Sequence, residues 1–327
     1  MSARAWAENQ FVAYAPIGLL AHIAGRVAPQ PRIETVPGWF FGYGDSDMTP
    51  ETRFRRTLWE RFAADEISRP VTVPWHEGTQ LRVFLGNDMS KLIFVDGLFE
   101  PNEFVLLASF LEPGMTFVDV GANDGAYTVF AARRAGTRGR VVAIEPSSRE
   151  FERLTANVEL NELRNVTTVR AAAEEATGTA SLAIAEYGHE GQNTVGTAIV
   201  NPRVGTASLE EVATQRLDDI LAAAGIEEVN FVKIDVEGSE PRVLDGAGET
   251  LARYRPVLQL ELEPEWLARQ NSSPDDVYRQ LDAAGYAVWI FDRATGELRE
   301  LESAEAVNGN VIAAPVGWRP TSFRADG

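Results

Sequence analysis

Apolar and polar positions alternate with two different periods along residues 116–314. Short runs rich in Val, Ile and Phe, typical of buried strands, are followed by stretches in which apolar residues recur every three or four positions, typical of helices. The pattern predicts strands at 116–120, 141–145, 166–170, 179–184, 211–215, 229–235, 257–262, 286–291 and 310–314, and helices at 126–132, 148–161, 218–224, 239–253 and 274–284. This alternation predicts an α/β fold, with a doubly wound, mostly parallel sheet that carries helices on both faces.

The first 75 residues carry a different pattern, and we interpret them as an N-terminal extension to a domain that spans residues 76–327. Aromatic residues cluster at 39–44, and Thr49 predicts the N-cap of a helix. The apolar stripe of that helix consists of Phe54, Leu58 and Phe62. We expect the extension to dock on the core, to form a lid over an acceptor pocket, or to serve a homodimer.

A small β-hairpin is predicted between the extension and the main alternation. Residues 71–74, 80–86 and 91–95 alternate as strands do, and residues 87–90 would form the turn that joins the last two. A helix is predicted at 102–111.

The stretch 115–130 predicts a strand, a glycine turn and a helix, which is an arrangement that binds ligands. A dinucleotide site would have three glycines and a pyrophosphate above the turn, but this turn has only Gly121 and Gly125, with Asp119 and Asp124 beside them. Two carboxylates repel a pyrophosphate, whereas they suit the sulfonium and ammonium groups of S-adenosylmethionine (SAM). We expect Asp119 to face the ammonium. Glu145 follows Gly121 by 24 residues, about the spacing at which an acid binds ribose hydroxyls.

Four acidic residues lie at the ends of predicted strands. They are Asp119, Glu145, Asp235 and Glu261. Ligands of open α/β sheets bind outside the carboxyl ends of the strands, so these acids are expected to surround one site.

Composition excludes several classes of partner. The chain has 327 residues, 45% of them hydrophobic, a net charge of −18 and no cysteine. Such a charge repels nucleic acid and anionic membranes, and the lack of cysteine excludes thiolate metal sites and a cysteine nucleophile. No apolar run approaches the length of a membrane span, and the start of the chain does not have the pattern of a signal peptide. We therefore expect a cytoplasmic protein that acts on a small molecule.

Four segments together resemble the FkbM family of SAM-dependent methyltransferases. They are FVDVGANDGAYTVFAAR, VVAIEPS, NFVKIDVEGSEPRVLDGA and RPVLQLELEP. The resemblance covers residues from about 80 to 315. It implies a class I methyltransferase fold, with a seven-stranded sheet whose last hairpin is reversed, and O-methylation of sugars and secondary metabolites.

The resemblance also implies roles for individual residues. Asp235 would lie beside the methyl donor, and Glu100 would help to hold its methionine end. Glu263 stands where many members have histidine, so a basic role at this position is in doubt. The full set of expected cofactor-binding residues is Glu100, Asp119, Gly121, Ala122, Asn123, Gly125, Glu145, Pro146, Ser147, Ala172 and Asp235.

Methyl transfer to a hydroxyl requires alignment of the reacting atoms and removal of a proton. The candidates for a catalytic role are Asp235, Glu261 and His189, the last in a polar loop that could reach over the site. Glu237 is expected to cap a helix rather than to act in catalysis. Asp235 and Glu261 could also bind a metal, but because no third ligand is evident we expect no required metal.

The leading hypothesis is a SAM-dependent O-methyltransferase that acts on a hydroxyl of a sugar or glycosylated secondary metabolite. The alternatives are an N-methyltransferase, a non-catalytic SAM-binding module and a nicotinamide-dependent oxidoreductase. Acceptor choice is expected to depend on the N-terminal aromatic segment and on the loop 185–206.

Overall fold

The computed structural model of the protein describes residues 10–36, 48–301 and 308–320. Its helices are α1 Ile17–Val27, α2 Pro50–Ala64, α3 Pro101–Phe110, α4 Ala126–Ala135, α5 Ser148–Leu160, α6 Leu217–Ala223, α7 Glu240–Asp245, α8 Gly248–Arg253, α9 Pro264–Arg269 and α10 Pro274–Ala283. None of the helices in these ranges is long and apolar enough to cross a membrane. The aromatic cluster at 39–44 lies outside the described residues.

The central sheet has eight strands: β3 Thr116–Val120, β4 Arg140–Ile144, β5 Val166–Val169, β10 Phe231–Ile234, β11 Val257–Leu262, β12 Tyr286–Phe291, β13 Leu298–Glu300 and β14 Gly309–Pro315. Their order across the sheet is β13-β12-β14-β11-β10-β3-β4-β5. The pairs among β5, β4, β3, β10 and β11 are parallel, whereas β14 is antiparallel to both β11 and β12. The expected class I methyltransferase order of seven strands with a reversed last hairpin is therefore confirmed, and the short β13 adds an eighth strand at the edge.

Successive side chains of the central strands point to opposite faces of the sheet, and on both faces they are buried in a hydrophobic core. Phe117 of β3 and Phe231 of β10 are fully buried and stack with a centroid distance of 5.6 Å on one face. Their neighbours Val118 and Val232 are buried in a second cluster on the opposite face. Because both faces are covered, these strands appear in the sequence as nearly continuous apolar runs.

Two of the predicted strands belong to a different sheet. Strands β7 Gly178–Ala185 and β9 Thr206–Gln215 pair antiparallel with each other and form a four-stranded sheet with β6 Ala172–Ala173 and β8 Thr194–Val195. The expectation that they extend the parallel sheet is wrong, because their side chains meet each other and not the helices of the central layer. The segment between them crosses over the glycine turn, where it helps to form the site.

The predicted hairpin between residues 80–86 and 91–95 is wrong, because residues 80–84 pair with the predicted strand that precedes them. The hairpin consists of β1 Pro70–Pro74 and β2 Gln80–Phe84, and the predicted strand at 91–95 is helical, in the segment Lys91–Asp96. The reason lies in Asn87, whose side chain does not form a hairpin turn but caps the helical segment by accepting from Ser90 N at 2.8 Å. Leu58 and Phe62 of helix α2 are completely buried in the same core cluster as Phe117 and Phe231.

His76 is a buried histidine of this region, and it makes the stability depend on pH. Its ring packs against those of Trp75, Phe104 and Phe130, and burial lowers its pKa from 6.5 to about 4. Between these values the unfolded chain binds a proton that the folded chain excludes, so stability falls as the pH falls through this window. We expect a loss of about 3 kcal/mol by pH 4.

The measurement is urea unfolding at several pH values for the wild type and for His76→Phe, which keeps an aromatic ring at this position. The free energy of unfolding of the variant should fall less steeply between pH 6.5 and pH 4. Parallel profiles for the two proteins would contradict the assignment of this pH dependence to His76.

Candidate active site

The glycine turn follows β3 and brings the chain close to the end of β10. Gly121 has φ +77°, and a Cβ added to it would lie 1.8 Å from the carbonyl oxygen of Asp235. Only glycine fits such an approach. The backbone N–H groups of Gly121 and Ala122 both donate to the carbonyl of Ile144 at 3.0 Å, which fixes the turn against β4. Gly125, with φ +89°, precedes α4.

Glu145 lies at the end of β4, beside this turn. Its carboxylate accepts hydrogen bonds from the backbone N–H of Asn123 at 2.9 Å and of Ser147 at 3.0 Å. Burial, followed by the charge of Glu150, raises the pKa of Glu145 to about 8. Hydroxyl groups of a bound ribose would donate to this carboxylate and favour its charged form, which agrees with the expected role.

A narrow cleft runs between the glycine turn and the segment that crosses it. Six of the predicted cofactor-binding residues line this cleft: Gly121, Asn123, Glu145, Pro146, Ala172 and Asp235. Glu190 and Gly191 close it from the other side and leave a free volume of about 50 Å³. This free volume is smaller than a SAM molecule, so the binding of SAM would require the walls of the cleft to separate.

Asp119 is completely buried below the turn, and it does not line the cleft. Its Oδ2 accepts from the Thr128 hydroxyl at 2.6 Å, and its Oδ1 lies 3.9 Å from Nζ of Lys233. Asp119 thus faces an ammonium group of the protein itself. Its expected contact with the ammonium of SAM stays a prediction.

Lys233 is a buried cation of the site that the sequence analysis missed. It lies opposite Asp119 in the pairing of β3 with β10, and its Nζ donates to Asp235 Oδ2 at 3.0 Å. Burial alone would lower the pKa of Lys233, but the carboxylates of Asp235 and Asp119 outweigh it and hold the pKa above its usual value. The sequence could have indicated this pair, because residues two apart in a strand lie on the same face and Lys233 precedes Asp235 by two positions.

Removing this ammonium should weaken the fold. Lys233→Met leaves two carboxylates without their buried counter-charge, and we expect the free energy of unfolding to fall by about 3 kcal/mol. Urea unfolding at neutral pH measures the loss, with Lys91→Met as a control on a half-buried lysine outside the site. An equal, small effect of both substitutions would contradict a neutralising role for Lys233.

The catalytic candidates Asp235 and Glu261 come together at the ends of β10 and β11. Oxygen atoms of Asp235, Glu237 and Glu261 all lie within 4.8 Å of one another, and we name these three residues the carboxylate cluster. Burial, followed by the charges of Asp235 and Glu237, raises the pKa of Glu261 well above its ordinary value. Such a carboxyl holds a proton more strongly than an exposed one, as a general base must.

Glu237 does not cap a helix, contrary to the expectation from the sequence. The helix that follows begins at Glu240, whose carboxylate accepts from the backbone N–H of the loop residues Val236 at 3.1 Å and Gly238 at 3.3 Å. Glu237 has φ +56° and turns its carboxylate toward Asp235 and Glu261. The sequence could not show this, because the direction of the side chain depends on a left-handed residue in a loop.

A hydrogen-bonded chain holds Glu100 on the other side of the cluster. The Tyr127 hydroxyl donates to Glu100, and Gln259 Nε2 donates to the same hydroxyl at 3.0 Å. Asn310 of β14, which lies opposite Glu261, donates to Glu103 at 2.9 Å and to Glu100 at 3.3 Å. Burial raises the pKa of Glu103 to about 7.

A second cavity, of about 680 Å³, opens beside this chain. Its walls include Glu100, Glu103, Glu261, Asp292, Asn308 and Asn310. Asp235 lines the cleft and Glu261 lines the second cavity, and their carboxylates belong to the same cluster. The carboxylate cluster therefore lies between the cleft and the second cavity.

His189 is not brought to the other two catalytic candidates. Its Nδ1 lies 2.7 Å from Asp88 Oδ2, a partly exposed contact, and its side chain lines neither the cleft nor the second cavity. The expected role as a base therefore receives no support from its position. The polar loop is attached by this contact to the helical segment at Asp88–Ser90, which is 101 residues away in sequence.

The residues of the cleft fit SAM. Glu145 offers a carboxylate to the ribose, and the carboxylate cluster offers negative charge to the sulfonium. Two buried oxygens of this region, Asp119 Oδ1 and Glu237 Oε2, have no hydrogen-bond partner in the part of the chain that the structure describes. The remaining predicted contacts, Glu100, Ala122, Gly125 and Ser147, support the turn or line the second cavity.

Comparisons with known proteins agree with this geometry. The family model described as the methyltransferase FkbM domain matches residues 119–288, slightly more than half of the chain. The AMB antimetabolite synthetase AmbE of Pseudomonas aeruginosa is 27% identical over 266 residues, which are 71% of this chain and 12% of that protein. The methyltransferase sdnD of Sordaria araneosa is 26% identical over 156 residues, which are 40% of this chain and 60% of that protein.

Among solved structures, the FkbM methyltransferase of Methylobacillus flagellatus has a TM-score of 0.37 and 16% identity, and the match covers 90% of this chain and 58% of that one. The chain spans 12% of the length of the first curated relative and 60% of the second. The match to the family model over 119–288 confirms the resemblance seen in the sequence. The chain belongs to the FkbM family of methyltransferases, and its expected assignment to the SAM-dependent methyltransferases is confirmed.

Proposed function

We propose that the protein transfers the methyl group of SAM to a hydroxyl oxygen of a sugar or glycosylated secondary metabolite. The observation that carries the proposal is the position of the carboxylate cluster, whose members line the cleft on one side and the second cavity on the other. A donor in the cleft and an acceptor in the second cavity would meet beside Asp235 and Glu261. This arrangement brings two reactants together next to groups that accept protons.

The residues of the chain would bind SAM and the acceptor, orient them, and remove the proton of the acceptor hydroxyl. When bound, SAM supplies a methyl group on a positively charged sulfur, which is a good leaving group. Glu145 and the glycine turn hold the adenosine end, so the methyl group is directed toward the cluster. Glu261 accepts the proton of the hydroxyl while the oxygen takes the methyl group, and its raised pKa makes it a stronger base than an exposed carboxylate.

The lining of the second cavity supports a neutral acceptor with many hydroxyl groups. Its volume of about 680 Å³ lies within the ordinary range for small-molecule sites. Glu100, Glu103, Glu261 and Asp292 accept hydrogen bonds from hydroxyls, and their charges disfavour a phosphorylated or carboxylated molecule. The relative AmbE is an antimetabolite synthetase, which supports a natural product as acceptor.

The acidic lining also favours a second candidate, an N-methyltransferase acting on an amine. An ammonium group would be attracted to the same carboxylates, and it would have to lose a proton before transfer. A nicotinamide cofactor would bring a pyrophosphate next to Glu145 and Glu190, and the like charges of the phosphates and the carboxylates oppose its binding.

The test is transfer from methyl-labelled SAM to a panel of acceptors in matched sets, each a neutral glycoside, its amino-sugar analogue and its phosphorylated analogue. Methylation of the neutral glycosides on oxygen, with little transfer to the phosphorylated ones, is the expected result. Preferential labelling of amines would favour the N-methyltransferase. SAM binding without transfer to any member would favour the non-catalytic module.

A further inference from the structure

We propose that Asp235, Glu237 and Glu261 bind a divalent cation, Mg²⁺ or Mn²⁺, between the cleft and the second cavity. The sequence offered two carboxylates and no clear third ligand. The structure supplies the third in Glu237. A cation held by these three residues would lie between the cleft and the second cavity, next to both reactants of the proposed transfer.

The geometry of the carboxylate cluster is that of a site for a hard cation. One oxygen from each of the three residues lies within 4.8 Å of the others, so that small adjustments of the side chains would let a single ion contact all three. Mg²⁺ and Mn²⁺ prefer carboxylate oxygens and keep some water ligands. The remaining positions around the ion would open toward the second cavity, which Glu261 lines.

An unpartnered oxygen gives separate support. Glu237 is 7% exposed, and its Oε2 has no hydrogen-bond partner among the described residues. A buried carboxylate without a partner costs free energy, so native proteins seldom contain one that no ligand satisfies. One carboxylate oxygen of Glu237 lies within 4.8 Å of oxygens of Asp235 and Glu261, so a cation bound in the cluster would be a partner for this carboxylate.

The charge around the cluster points in the same direction. The carboxyl groups that act on one another here are Glu100, Asp119, Asp235, Glu237, Glu240 and Glu261. Lys233 lies among these acids, with its Nζ 3.0 Å from Asp235 Oδ2 and 3.9 Å from Asp119 Oδ1, and its hydrogen bonds go to Asp235 and to the carbonyl of Gly121. The sulfonium of SAM would add one positive charge, and a divalent cation would supply two more.

The role of the cation rests on the proposed function, whereas its binding does not. A hydroxyl oxygen of the acceptor bound to the cation would have a lowered pKa, as metal-bound water does. The O–H bond would break and the proton would pass to the carboxylate oxygen of Glu261 that the cation leaves free, while the C–O bond forms and the C–S bond of the donor breaks. The cation thereby holds the negative charge of the oxygen until the methyl group arrives.

The test is calorimetric titration of Mn²⁺ into the full chain after removal of metals, without SAM and without acceptor. The wild type should bind one Mn²⁺ per chain. Glu237→Gln should weaken binding by about tenfold or more, because it removes one ligand and nearly keeps the side-chain shape. The matched control is Glu263→Gln, which removes a charge that acts on Glu237 but lies outside the cluster, and it should change the affinity by less than about threefold.

Absence of Mn²⁺ binding by the wild type at millimolar concentrations would overturn the proposal, whatever the folding of the variants. Equal affinities of the wild type and Glu237→Gln would also overturn it. SAM binding and methyl transfer measured in the presence of a chelator separate the two proposals. Transfer that survives chelation would remove the catalytic cation and leave the methyltransferase function standing.

Discussion

Gly121→Ala is expected to abolish the binding of SAM. The added Cβ would lie 1.8 Å from the carbonyl oxygen of Asp235, and the φ of +77° is strained for alanine. The ends of β3 and β10 are joined by the hydrogen bond from Asp235 N to Val120 O, of 3.1 Å, so neither can move without breaking this pair. We expect the affinity for SAM in calorimetry to fall by about 100-fold or more, which corresponds to about 3 kcal/mol.

A matched control distinguishes the clash from the strain. Gly136 also has positive φ, at +65°, but a Cβ there would meet nothing within 4 Å. Gly136→Ala should lower the free energy of unfolding by about 1 kcal/mol and leave the affinity for SAM unchanged. If Gly121→Ala bound SAM as tightly as Gly136→Ala, the close approach of the turn to β10 would not be needed for the site.

Glu261→Gln is expected to lower kcat by about 1,000-fold while the affinity for SAM stays within about threefold of the wild type. Glu261 lines the second cavity and not the cleft, so its loss should affect the acceptor hydroxyl and spare the cofactor. Its pKa is raised by burial and by the charges of Asp235 and Glu237. A base must be deprotonated to act, so the activity of the wild type should rise with pH toward this raised pKa, and the variant should lose this dependence.

His189→Gln is the control for this prediction. The ring of His189 is paired with Asp88 and lies outside both cavities, so kcat should change by less than about threefold. A large loss in His189→Gln together with normal activity in Glu261→Gln would reverse the assignment of the base.

The central sheet and the ends of its strands could be predicted from the sequence. Buried parallel strands such as β3 and β10 appear as apolar runs, and the acids that follow them mark the edge where ligands bind. Strand β13 was missed because it has only three residues, of which two are exposed. Residues 91–96 were misassigned because Asn87 can end a strand in a turn or cap a helix, and only tertiary packing decides between the two.

The parts of the site that the sequence did not reveal depend on contacts between distant residues. Tyr127 reaches Gln259 across 132 positions, and Glu100 meets Asn310 across 210. The third member of the carboxylate cluster depends on the backbone of one loop residue, Glu237. His189 could be identified as a candidate base, but its partner Asp88 lies far away in the sequence.

The most direct measurement is a crystal structure of the protein with S-adenosylhomocysteine, the product of the donor. The account predicts the ribose hydroxyls on Glu145 and the sulfur directed toward Asp235 and Glu261, with the second cavity open beside it. A nucleoside bound away from Glu145, or a sulfur separated from these carboxylates by protein, would contradict the claim that donor and acceptor meet at the carboxylate cluster.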